Sequence, residues 1–74
     1  MRTFRTGEVA DLCGVSPRLV VKWFDEGLLV GFRLPGSRDR RILPASLVEF
    51  MESNGMPVPE RVKEAAAAQG ALAN

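Results

Sequence analysis

The sequence has no histidine, a single cysteine and no long apolar run, and each shortage removes a class of protein. One thiol, Cys13, cannot close an intramolecular disulfide, and without histidine the familiar zinc patterns lack their ligands. No metal or cofactor is expected, and no small-molecule ligand. The commonest general base near neutral pH is also missing, so no Ser/His or Cys/His pair can be assembled. The expectation is a binding protein and not an enzyme. Uninterrupted apolar stretches reach four residues or so, as in Ala65-Ala66-Ala67-Ala68, against the roughly 20 that span a bilayer. No apolar leader follows the opening Met-Arg-Thr-Phe-Arg, and the lone cysteine is unlike a small secreted scaffold. A cytoplasmic protein is expected, with no membrane partner.

What is present is enough for one small core. The chain has 74 residues, 46% of them hydrophobic and 26% charged, with a formal net charge of +1. A domain of this size draws only about 3–5 kcal/mol of net stability from its core. The near-neutral total hides an asymmetry. Residues 1–43 carry eight basic side chains against five acidic ones, a net of +3, whereas residues 44–74 carry two against four, a net of −2. Three arginines, Arg38, Arg40 and Arg41, crowd behind Pro35-Gly36-Ser37, at what reads as a turn. A charge cluster is by default a solvated face, so its neighbours decide its meaning.

Thr6 followed by Glu8, Val9, Leu12 and Cys13 predicts a short helix, with Thr6 as its cap, Glu8 complementing the helix dipole and Gly14 as its stop. Val9, Leu12 and Cys13 share one face, which makes Cys13 a small hydrophobe before it is a reactive thiol. Ser16 and Pro17 then start a second helix over 17–26, a cap followed by a proline at the first helical position. At about 100° per residue, Leu19, Val20, Trp23 and Phe24 fall on one side and Arg18, Val21, Lys22 and Asp25 on the other. Trp23 is thereby a core residue, and Asp25 is placed to restrain Lys22. Val30, Phe32 and Leu34 alternate with Gly31 and Arg33, a Pro-Gly turn follows, and Ile42 ends a second run. The pattern predicts a two-stranded hairpin with a basic tip. Pro44 opens a third helix closed by Gly55, with Leu47, Phe50 and Met51 as its apolar stripe. Met56-Pro57-Val58-Pro59 must be extended. A last helix from Glu60 to Gly70 has only a thin apolar stripe, Val62, Ala65, Ala66 and Leu72, so it either docks through Val58 and Val62 or frays.

The predicted fold class is mainly α with a small β-hairpin, a winged helix-turn-helix: two short helices separated by Gly14-Val15-Ser16, then an arginine-tipped wing. Residues 1–55 form the DNA-binding domain of this reading, and residues 56–74 a Pro/Ala-rich segment, partly helical or frayed. The run Thr6-Gly7-Glu8-Val9-Ala10, then Leu12-Cys13-Gly14-Val15-Ser16-Pro17-Arg18, Val20, Lys22-Trp23 and Gly27 carries a further resemblance. With Phe32-Arg33-Leu34-Pro35-Gly36-Ser37 and Arg40-Arg41-Ile42, it resembles the excisionase-like branch of the MerR-type winged helix-turn-helix domains over about residues 4–54. The resemblance implies sequence-selective binding of double-stranded DNA, by a small transcription regulator or by an excisionase-type recombination directionality factor, and a nucleoid-associated place in a prokaryotic or phage setting. Two departures stand out. Many members carry Gly-His-Arg-Arg at the wing where this chain has Ser37-Arg38-Asp39-Arg40-Arg41, and the 19 residues after Gly55 leave no expectation of an effector-sensing domain among them.

On this reading the second helix enters the major groove, with Arg18 directed at a guanine edge, Lys22 at a base or phosphate and Val21 at a thymine methyl. The wing, 34–42, lies on the adjacent minor groove or backbone through Arg38, Arg40 and Arg41, with Arg33 and Ser37 beside them. Alternation sends Arg40 and Arg41 to opposite faces, so one packs its stem on the core, and Asp39 either holds an arginine or is simply exposed. Thr6 and Ser16, at helix starts, are caps that also face phosphate. About five phosphate contacts give log K a slope against log[salt] of roughly −4 to −5. One module covers on the order of 600–1,000 Å² of DNA, which points to cooperative self-association on repeated sites. The reading from another class is a protein-interaction adaptor that offers the same basic face to an acidic partner.

Overall fold

A computed structural model describes the backbone of residues 2–73 and the side chains of residues 2–70. Strand β1 (Phe4–Arg5) leads into helices α1 (Thr6–Cys13) and α2 (Pro17–Asp25), strands β2 (Gly31–Arg33) and β3 (Arg40–Ile42), and helices α3 (Pro44–Ser53) and α4 (Glu60–Ala73). A helix-turn-helix followed by a β-hairpin is compatible with the winged helix-turn-helix fold expected from the sequence.

The helix-turn-helix is set by local chemistry. Gly14 ends α1 in the left-handed region at φ 70°, where its N–H and that of Val15 both donate to the Ala10 carbonyl. A side chain at Gly14 would be strained there. Ser16 caps α2 as expected, its hydroxyl oxygen accepting the Leu19 N–H at 3.4 Å, with Pro17 at the first helical position. The cap of α1 is shifted by one residue: Arg5, not Thr6, occupies it, and Thr6 is the first helical residue. The Glu8 carboxylate accepts the Arg5 N–H at 3.1 Å, closing the helix start from within the first turn. The glutamate thereby serves the N–H of the cap residue, whereas the threonine hydroxyl was expected to serve an N–H inside the first turn.

The hairpin belongs to a sheet of three strands, ordered β1-β3-β2 and antiparallel throughout. Phe4 pairs with Ile42 and Arg5 with Arg41, while Gly31, Phe32 and Arg33 face Ile42, Arg41 and Arg40. Because side chains alternate between faces, Phe4 and Ile42 point into the core and Arg5, Arg41 and Phe32 form a row on the other side. Gly31 has a packing reason for being glycine: a Cβ there would collide with the backbone carbonyl of Arg41.

The core is one cluster drawn from every part of the chain: Phe4, Val9, Ala10, Val20, Leu29, Ile42, Leu47, Met51, Val62 and Ala65. Trp23 packs against its edge, its ring centroid 4.7 Å from that of Phe50. Cys13 is half-buried, and loss of solvation pushes its thiol pKa above the ordinary value. Helix α4 lies against α3 with Val62 and Ala65 buried, and the Gln69 side chain accepts the Ala45 N–H at 2.9 Å at the start of α3. It runs through Gly70 to Ala73, beyond the expected stop, because a glycine without a left-handed backbone is a weak helix residue and not a terminator. The side chain of Leu72, expected in the apolar stripe, lies outside the described residues.

Candidate nucleic-acid interface

Helix α2 exposes Arg18, Lys22 and Asp25 along one face, with Val21 half-buried beside them. On the opposite side Val20 is fully buried, and Leu19, Trp23 and Phe24 are half-buried. A 100° helical rotation applied to this sequence leaves no other way to hide the apolar residues.

The wing rises next to the C-terminal end of that face. Leu34-Pro35-Gly36-Ser37 makes a tight turn in which the Ser37 N–H donates to the Leu34 carbonyl at 3.1 Å. The Ser37 hydroxyl oxygen accepts the Asp39 N–H at 3.0 Å, so it shapes the loop. Arg38 and Asp39 are exposed at the tip.

Two of the hairpin arginines share one carboxylate. The Asp25 carboxylate lies 3.7 Å from the Arg33 guanidinium and 3.5 Å from that of Arg40. The Arg40 guanidinium also sits 5.7 Å from the Phe24 ring centroid, and its side chain is only 17% exposed. Asp25 therefore faces the wing and not Lys22, as the sequence suggested. Helical spacing finds partners three or four residues away, but these partners arrive across the hairpin, eight and fifteen residues on. Asp39 is simply exposed and forms no ion pair among the described residues.

Arg41 is on the other face of the sheet, as alternation required, between Arg5 and Phe32. Both Arg40 and Arg41 are half-buried, so both pack their stems and not just one. Arg5 was absent from the expected site because nothing in a two-residue strand announces itself as periodic. Arg2 joins it at the edge, with its guanidinium 3.3 Å from Glu8 and 5.0 Å from the Phe4 ring centroid.

Of the ten residues expected to meet DNA, Arg18, Val21 and Lys22 share the α2 face, and Arg33, Ser37, Arg38 and Arg40 lie on or behind the wing adjoining it. Arg41 sits across the sheet. Ser16 is exposed and Thr6 half-buried, each at the start of its helix.

A tight helix pair whose second member projects a basic face, with an arginine-bearing hairpin beside it, defines a helix-turn-helix module. The family model described as a helix-turn-helix domain matches residues 3–55, and the chain belongs to that family. Membership supports DNA as its partner, met through the helix-turn-helix, in a family that is typically non-enzymatic. No curated protein and no solved structure matches the chain. Among the described residues no helix is long and apolar enough to cross a membrane.

Proposed function

We propose that the chain binds double-stranded DNA sequence-selectively, with α2 in the major groove and the wing on the adjacent minor groove or backbone, and acts as a small MerR-like or excisionase-like transcriptional regulator in the cytoplasm, without catalysis. The observation that carries this reading is the seam at Asp25. Because the Arg40 guanidinium lies between the Asp25 carboxylate and the Phe24 ring, the end of α2 and the wing adjoin as one surface. Two elements held in a set relation can engage two neighbouring grooves at once.

Arg18, near the start of α2, and Lys22, one turn on, are the base-reading or phosphate-binding groups, with Val21 beside them. Arg38 is the exposed wing contact and Ser37 shapes the loop that presents it. Arg33 and Arg40 stand beside Asp25 at the foot of the wing, Arg41 adds positive field from across the sheet, and the helix starts at Thr6 and Ser16 face the backbone. A single module of about 600–1,000 Å² binds weakly, so useful affinity comes from copies arranged side by side. The exposed apolar side chains Leu28, Val30 and Phe32, 54%, 56% and 43% accessible, support contact between copies.

A mobility shift on random duplexes at low salt tests the class of partner. Binding that weakens with salt is expected; no binding would favour an adaptor for an acidic protein. Footprinting on the host's own DNA then tests the role: a site at a promoter supports regulation, and sites flanking an attachment sequence point to excision.

A further inference from the structure

Asp25 shares the exposed face of α2 with Arg18 and Lys22, and a bare carboxylate there is repelled by phosphates. Its two partners differ. Arg40 is largely covered, lies over the Phe24 ring and is held by the shorter contact, whereas Arg33 is 57% exposed and held at 3.7 Å. An ion pair between exposed groups is worth little and exchanges readily for another anion. A stacked, desolvated arginine does not exchange so readily.

We propose that Asp25 is a positioning residue for DNA contact that raises selectivity: it keeps Arg40 as a fixed strut of the wing and keeps Arg33 occupied until a closely seated phosphate displaces it. The inference rests on the DNA-binding reading above. In a loose encounter, the phosphates stand too far from Arg33 to outcompete a carboxylate already beside it. Random sequence is then bound with one fewer neutralised phosphate. Full seating of α2 in the groove brings a phosphate within reach, and Arg33 changes partner. The carboxylate thus subtracts from non-specific binding more than from specific binding.

The test is the salt dependence of binding to a random duplex of about 30 base pairs, measured for the wild type and for Asp25→Asn, Arg33→Gln and the double variant. Asp25→Asn is expected to steepen the slope of log K against log[salt] by about 0.9, the value of one added phosphate contact, and the double variant to return it to the wild-type value. Arg33→Gln alone is expected to leave the slope within about 0.3 of wild type, because its charge is not on phosphate in this complex. An unchanged slope, or lost binding in an Asp25→Asn variant that retains the wild-type circular dichroism, would overturn the proposal. So would a slope about 0.9 shallower in Arg33→Gln, a measurement that stands even where the Asp25 variant unfolds. Absence of wild-type binding at low salt would instead remove the DNA-binding reading itself.

Discussion

Where α2 meets the hairpin, the contact is made by charge: one carboxylate between two guanidinium groups, and a guanidinium over a phenyl ring. Where α3 meets α4, it is made by apolar burial: Leu47, Met51, Val62 and Ala65, with a single side-chain hydrogen bond, at Ala45, among the described residues. Among the described residues all three ion pairs lie at or before Arg40. The difference separates two tasks. Exposed ion pairs add little stability and can be exchanged for a ligand's charges, whereas apolar burial holds the fold and offers nothing to an anion. On the reading proposed above, a polyanion meets the front of the molecule, where α2 and the wing lie, and the α3–α4 side keeps the fold together.

Because both regions share one core, the severest way to break the contrast is to empty that core. Leu47→Ala is expected to cost about 3 kcal/mol, close to the whole stability of so small a domain, and thermal unfolding should lose its cooperative transition. Gly31→Ala strikes the front alone. A Cβ against the Arg41 carbonyl is expected to cost about 2 kcal/mol and to speed amide exchange in β2 and β3 more than in α3, as read by NMR. Removing the α2 cap with Ser16→Ala should cost about 1 kcal/mol in denaturant unfolding.

The smallest effect concerns Cys13. Burial raises its thiol pKa above 9.0, so the folded state favours the protonated form. The associated stabilisation is fully present below the unfolded-state pKa and fades as pH rises through the folded-state value. Unfolding midpoints should therefore fall faster above about pH 9 in the wild type than in Cys13→Ala.

Much of this was legible because the signals are local. Ser16-Pro17 fixes the start of α2, Gly14 the turn before it, and Pro44 and Gly55 the bounds of α3, each through chemistry confined to a few residues. The hairpin was equally plain from the alternation around Pro35-Gly36. What escaped depends on distant partners. Strand β1 exists only because Ile42 and Arg41 offer it an edge, some 37 residues on. The shift of the α1 cap to Arg5 follows from Glu8 reaching back. Asp25 could be placed on the correct face but not with its partners, since they reach it only after the hairpin folds over. Val30 and Phe32 carried the alternation, yet they face outward; the buried residue of that stretch is Leu29, which the period of two passes over.

The division between front and back is tested most directly by two double variants that remove the same charge, Arg18→Gln with Lys22→Gln on α2, and Arg61→Gln with Lys63→Gln on α4. All four side chains are exposed, so neither pair should disturb folding. On one duplex at about 50 mM salt, the α2 pair is expected to weaken binding by about 10- to 100-fold and to flatten the salt slope by about 1.8, with the α4 pair close to wild type. Equal losses from the two pairs, or no loss from the α2 pair, would contradict it.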